Sequence, residues 1–144
     1  MKKTLMAGVA ALVLSAAAAQ AQNLKFPVGE GAFNWQSYEA FSQANQLNGE
    51  QITIFGPWLS ADQELVESVL AYFSAATGAD VRYTGSDSFE QQIVVDLEAG
   101  SAPNIAIFPQ PGLASDMARR GFLTEIGDET AGWLVENYAA GQSW

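Results

Sequence analysis

Three short stretches hold the side chains best suited to meet a ligand: Gly56-Pro57-Trp58, Gly85-Ser86-Asp87 and Pro109-Gln110-Pro111-Gly112. Together they offer an aromatic face, a carboxylate and an amide. Such a set suits a neutral, hydroxyl-rich ligand, with Trp58 packed on its C–H surface and Asp87 and Gln110 taking up hydroxyls. None of the three is a phosphate cradle, because the chain has neither GxGxxG nor a Walker lysine. With no histidine and no cysteine, it cannot build a Ser-His-Asp or Cys-His unit, a thiolate metal site or a disulfide. The 16 acidic residues are scattered, and no pair is spaced for acid–base work or a Ca²⁺ loop. No catalytic residue, cofactor or metal is therefore expected.

Each of the three side chains also has a plainer use. Trp58 could simply cover the helix that follows it. Asp87 is first a helix cap, although a cap occupies one oxygen and leaves the other for a ligand. Gln110 sits between two prolines, in a loop stiffer than a linker needs. Tyr83 shares a strand face with Val81 and reads as core. Arg119 and Arg120 fall in a last helical turn, where cations suit the dipole. Trp133 and Tyr138 read as buried.

The elements that must position these residues follow from the hydrophobic spacing. Ile52-Thr53-Ile54-Phe55, Val81-Arg82-Tyr83-Thr84 and Ile105-Ala106-Ile107-Phe108 are strand-like runs, each closed by glycine or proline. A helix follows each. The first opens at Ser60 with Gln63 as a capping box, steps through Leu65, Val69 and Phe73, and stops at Gly78. The second opens at Asp87 with Glu90, steps through Phe89, Ile93 and Leu97, and stops at Gly100. The third runs from Pro111 to Arg120, with Leu113 and Met117 inward. One helix per gap predicts right-handed βαβ crossovers and a parallel sheet, with Ile54 and Ile107 buried on adjacent strands. Ligands of open α/β sheets bind outside the carboxyl ends of the strands, where these loops lie. Before the first strand, Gln22 to Ala32 reads as a loose arm, and Asn34 caps a helix carrying Trp35, Tyr38 and Phe41. After the last, Phe122 to Ile126 reads as a short extended piece, followed by a helix from Asp128 to Tyr138.

Lys2, Lys3, an apolar run from Leu5 to Ala19 and Ala19-Gln20-Ala21 have the layout of an exported leader cleaved after Ala21. Without Lys2 and Lys3, 4 basic side chains face 16 acidic ones. Binding to nucleic acid or to an anionic membrane surface needs clustered cations, so neither is an expected partner. An exported chain without disulfides depends on its core, which suits a bacterial periplasm.

Three segments resemble the extracellular solute-binding proteins of bacterial ABC sugar importers. They are Ile52 to Trp58, Phe89 to Gly100 with Ser101-Ala102-Pro103-Asn104, and Pro109-Gln110-Pro111-Gly112. The likeness is to alpha-glucoside-binding members, and Gly127-Asp128-Glu129-Thr130 and Asn137 to Trp144 continue it. The resemblance implies an α/β fold: parallel βαβ units of a type II periplasmic-binding-protein-like first lobe, incomplete here. It divides the chain into a signal peptide (1–21), an N-terminal arm and helix (22–49) and a partial first lobe (50–144). It implies a non-enzymatic periplasmic component that captures an alpha-glucoside or other oligosaccharide for an ABC permease in the inner membrane. Trp58, Asp87 and Gln110 would be the first lobe's ligand contacts. Family members are several hundred residues long, so the chain is expected to be an N-terminal fragment, poorly soluble alone. A secreted α/β hydrolase acting on glycosides is the runner-up, and an envelope interaction domain the third reading.

Overall fold

Residues 24–137 are described by the computed structural model. The leader, its cleavage point and Tyr138 lie outside the described residues. The chain divides into two units, one ending at Pro109 and one beginning at Gln110.

In the first unit, Asn34 caps α1 (Trp35–Ala44) as its sequence suggests, its Oδ1 accepting the Ser37 N–H at 3.1 Å. β1 (Gln51–Gly56) leads into α2 (Ser60–Thr77), β2 (Asp80–Gly85), α3 (Phe89–Ala99) and the two-residue β3 (Ile105–Ala106). The sheet is parallel throughout, in the order β2-β1-β3. The chain moves one way along the sheet for its first crossover and the other way for its second. Right-handed crossovers then put α2 and α3 on opposite faces of the central β1. This explains the near-continuous apolar character of β1.

The core follows from that arrangement. Ile54 and Phe55 of β1 and Phe89 and Ile93 of α3 are buried, with Phe89 and Ile93 sealed almost completely. The Phe89 ring lies 4.9 Å from that of Phe55 and edge-on to Phe108 at 5.5 Å. Ile107 is only half-buried, contrary to expectation, and the third strand stops two residues early. Its N–H still donates to the Phe55 carbonyl at 2.9 Å, but among the described residues β3 has no neighbour on its outer side to cover it.

Asn104 sets where β3 begins. Its Oδ1 accepts both the Thr53 N–H and the Thr53 hydroxyl at 2.9 Å, and its own N–H donates to Thr53 Oγ1 at 3.0 Å. The side chain thus stands in for one more residue of strand. We expect Asn104→Ala to lower stability by about 1 kcal/mol, the net worth of such a bond at a partly exposed site. A shifted urea midpoint at unchanged slope checks this.

Several local expectations are corrected. Ser60 does not cap α2: Leu59 holds the cap position with no side-chain bond, and Gln63 donates to Glu67 at 2.7 Å instead. Ser60 has φ 55°, a left-handed backbone that breaks the capping-box geometry. The four-residue step of Leu65 and Val69 marks the helix but not its inward face, since both are exposed. Gly78 and Gly100 do end α2 and α3 in the left-handed conformation.

The loose arm is tied down. The Tyr72 hydroxyl accepts the Phe26 N–H and donates to the Phe26 carbonyl, both at 2.8 Å, and Trp35 Nε1 donates to the Glu30 carbonyl at 2.8 Å. Phe26, Phe33, Trp35, Tyr38 and Tyr72 form a chain of ring contacts between 5.5 and 6.5 Å. Burial there, helped by the neighbouring Tyr72, raises the Tyr38 phenol above its ordinary 10.0. On the sheet, Arg82 donates to Asp80 Oδ2 at 2.7 and 3.0 Å, and Gln51 at 3.3 Å. These bonds, Arg82's first, lower the Asp80 carboxyl and raise Arg82. The pair is exposed and adds little stability.

The second unit holds α4 (Pro111–Arg119) and α5 (Asp128–Asn137). Met117 is buried, Leu113 half-buried, and Asp116 pairs with Arg119 at 3.3 Å in the last turn of α4. Residues 122–126 form no strand. Trp133, expected inside, is 55% exposed. A helical period identifies an apolar stripe without supplying the surface that covers it.

Candidate functional site

Parallel strands deliver their carboxyl ends to one edge of the sheet, and β1 and β2 end together. Gly56 lies opposite Gly85, and the Ser86 N–H donates to the Gly56 carbonyl at 3.0 Å. The loops that carry Trp58 and Asp87 therefore leave the sheet side by side. Trp58 is 37% exposed, and Asp87 is exposed.

Asp87 is not the helix cap. Ser88 holds the cap position of α3, without a side-chain cap bond, and the Asp87 Oδ1 accepts the Ser88 hydroxyl at 3.1 Å. The Ser86 hydroxyl accepts the Ser88 N–H at 3.1 Å, and the helix begins one residue later than a cap at Asp87 requires. The Asp87 carboxylate thus keeps acceptor capacity toward solvent at the strand-end edge.

A tyrosine read as core belongs to this site. The Tyr83 hydroxyl accepts the Trp58 N–H at 2.9 Å and donates to the Trp58 carbonyl at 3.1 Å. The two rings lie 6.4 Å apart with planes 30° from parallel. Two glycines open the space for this. A Cβ on Gly56 would stand 2.8 Å from the Tyr83 oxygen, and one on Gly85 would overlap the Trp58 carbonyl oxygen. The sequence signal was present in the glycine that ends each strand, but neither glycine names the tyrosine between them.

Gln110 opens the second unit, at the cap position of α4. It is exposed and makes no side-chain cap bond, and Pro111 stands at the first helical position. Its amide is free to serve another partner.

A concavity of the first unit lies elsewhere. It is an open groove of about 560 Å³ between α2 and the free edge of β2, lined by Glu67, Leu70, Ser74, Asp80, Arg82 and Tyr83 among others. A strand without an outer neighbour leaves such a groove by construction, so it is weaker evidence of a site than the strand ends. Among the described residues no group of three or more acidic side chains is placed to hold a metal ion.

Comparison with known proteins bears on this geometry. The family profile described as bacterial extracellular solute-binding protein matches residues 56–143, which include both strand-end loops and Gln110. The chain belongs to that family. As a solute-binding protein it is similar to the "Alpha-glucosides-binding periplasmic protein AglE" of Rhizobium meliloti, 52% identical over the whole of this chain and 33% of the relative. It is also similar to the "Osmoprotective compounds-binding protein GgtB" of Synechocystis, 41% identical over 60% of this chain and 21% of that protein. The chain thus spans about a third of the length of the first relative and less of the second. No solved structure matches it. The parallel α/β sheet agrees with the partial solute-binding-protein fold that the sequence implied.

Proposed function

We propose that this chain is the sugar-contacting portion of a periplasmic binding component that delivers an alpha-glucoside or related oligosaccharide to an ABC permease in the inner membrane. The observation that carries the reading is the 52% identity, in an alignment that covers the whole chain, to a relative named for alpha-glucosides. The site chemistry supports it. Trp58 presents a partly exposed indole at the edge where α/β sheets bind ligands, with the Asp87 carboxylate on the adjoining loop. Gln110, in the second unit, is carried over from the family resemblance alone as a ligand contact. Capture, not catalysis, is the mechanism: the ligand binds a closed state better than an open one and shifts that equilibrium. Glycoside cleavage uses a pair of carboxylates, and the 16 acidic residues show no spacing that suggests one.

The test is made in cells. Loss of the gene should abolish uptake of labelled maltose and trehalose, and the purified protein should release no glucose from either. Protein recovered from the periplasm should begin at Gln22, the leader having been removed after Ala21. Undiminished uptake, or glucoside cleavage by the pure protein, would overturn the reading.

A further inference from the structure

We propose that Tyr83 is a positioning residue that holds the Trp58 indole ready for the ligand. The proposal rests on the reading of Trp58 as the sugar platform. Trp58 lies in the loop between β1 and α2, where no ladder fixes its backbone. One phenol supplies what a strand neighbour would: it accepts the Trp58 N–H and donates to the Trp58 carbonyl. A core tyrosine needs one partner for its hydroxyl. Here both capacities are spent on the main chain of a single residue, at the ligand-binding end of the sheet.

The surroundings are shaped to that contact. Gly56 and Gly85 face each other across β1 and β2, and a side chain on either would collide with the phenol or with the Trp58 carbonyl. A Cβ at Gly85 would also press on Leu59 Cδ2 at 3.0 Å, so the loop rests directly on the strand backbone. Two residues beyond Trp58, Ser60 has φ 55°, a conformation that L-residues keep only when their neighbours enforce it. An aromatic platform gains modestly from each sugar C–H it covers. Its usefulness then depends on not having to be ordered when the sugar arrives. Tyr83 meets that ordering cost during folding.

Tyr83→Phe keeps the ring and removes both hydrogen bonds. The experiment titrates maltose to roughly 100 mM into the full chain, following backbone amide signals of Gly85 to Ser88 by NMR, a range suited to millimolar affinity. Wild type, Tyr83→Phe, Trp58→Ala and the double variant are compared, with thermal melts of all four. We expect Tyr83→Phe to weaken binding roughly fivefold or more, and to weaken it no further once Trp58 is alanine. The loss of melting temperature should be the same in both backgrounds, because the backbone contact survives Trp58→Ala. Gly85→Ala, which crowds the loop while leaving the phenol intact, should also weaken binding and is read alongside should Tyr83→Phe fail to fold.

Weakening by Trp58→Ala but not by Tyr83→Phe or Gly85→Ala overturns the positioning role and leaves the platform standing. Equal effects of Tyr83→Phe with and without the indole also overturn it, since the phenol would then act by another route. Maltose that moves no amide, or binding indifferent to Trp58→Ala, overturns the platform and the positioning role together.

Discussion

The 144-residue chain, mixed with maltose, trehalose or sucrose in a calorimeter, is expected to give almost no heat, whereas a longer protein carrying the same residues binds. The chain spans 33% of its alpha-glucosides-binding relative, and a sugar held from one side stays largely hydrated on the other. A micromolar binder has about −8 kcal/mol to distribute, and keeping roughly half of it leaves millimolar affinity or weaker. Continuing these residues with the remaining two thirds of the Rhizobium meliloti relative should restore binding by at least about 100-fold, nearly 3 kcal/mol. In that longer protein Trp58→Ala should then weaken binding by more than about 1 kcal/mol, the scale of a buried aromatic contact. Micromolar heat from the short chain would show that Trp58, Asp87 and Gln110 are not half of a two-sided site.

The second large effect is on folding. Phe89→Ala is expected to destabilise the first unit by about 3–5 kcal/mol, most of the stability that a small domain possesses. Phe89 is 1% exposed, and its ring touches Phe55 on the central strand and Phe108 beyond β3, so its loss opens a cavity between three segments. Val69→Ala on α2 makes the contrast. That side chain is 69% exposed, and its truncation should cost no more than about 0.5 kcal/mol. Urea denaturation of the two variants beside wild type separates them, and similar midpoints would contradict the core assigned here.

The contrast also marks what the sequence could and could not reveal. Phe89, Ile93 and Leu97 and the run Ile52 to Phe55 gave the βα units, because strand and helix periods are local and glycine closes each one. Leu65 and Val69 have the same spacing as Phe89 and Ile93 yet face outward. Period alone cannot say which side of a helix finds a partner. Asp87 looked like a cap, but the helix starts at Phe89 and leaves Ser88 in the cap position. Of the candidate site, the position of the strand-end loops was legible from the fold rule. The Tyr83 contact was not, because it joins residues 25 positions apart through a register that only the folded sheet defines. The arm at Phe26 was misread for the same reason: its anchor, Tyr72, is 46 residues away.

The Asp80–Arg82–Gln51 cluster and the half-sheltered Tyr38 bear on how the protein meets its surroundings. With no histidine or cysteine, no side-chain type in the sequence has an ordinary pKa between about 4.3 and 10. Among the described residues, the Asp80 carboxyl is shifted downward and the Arg82 guanidinium and Tyr38 phenol upward, all away from neutrality. By residue type, then, no side chain of the sequence ordinarily changes charge between mildly acidic and mildly alkaline water. The sugar binding proposed above is accordingly expected to vary little between mildly acidic and mildly alkaline surroundings, which a titration with maltose at several pH values checks.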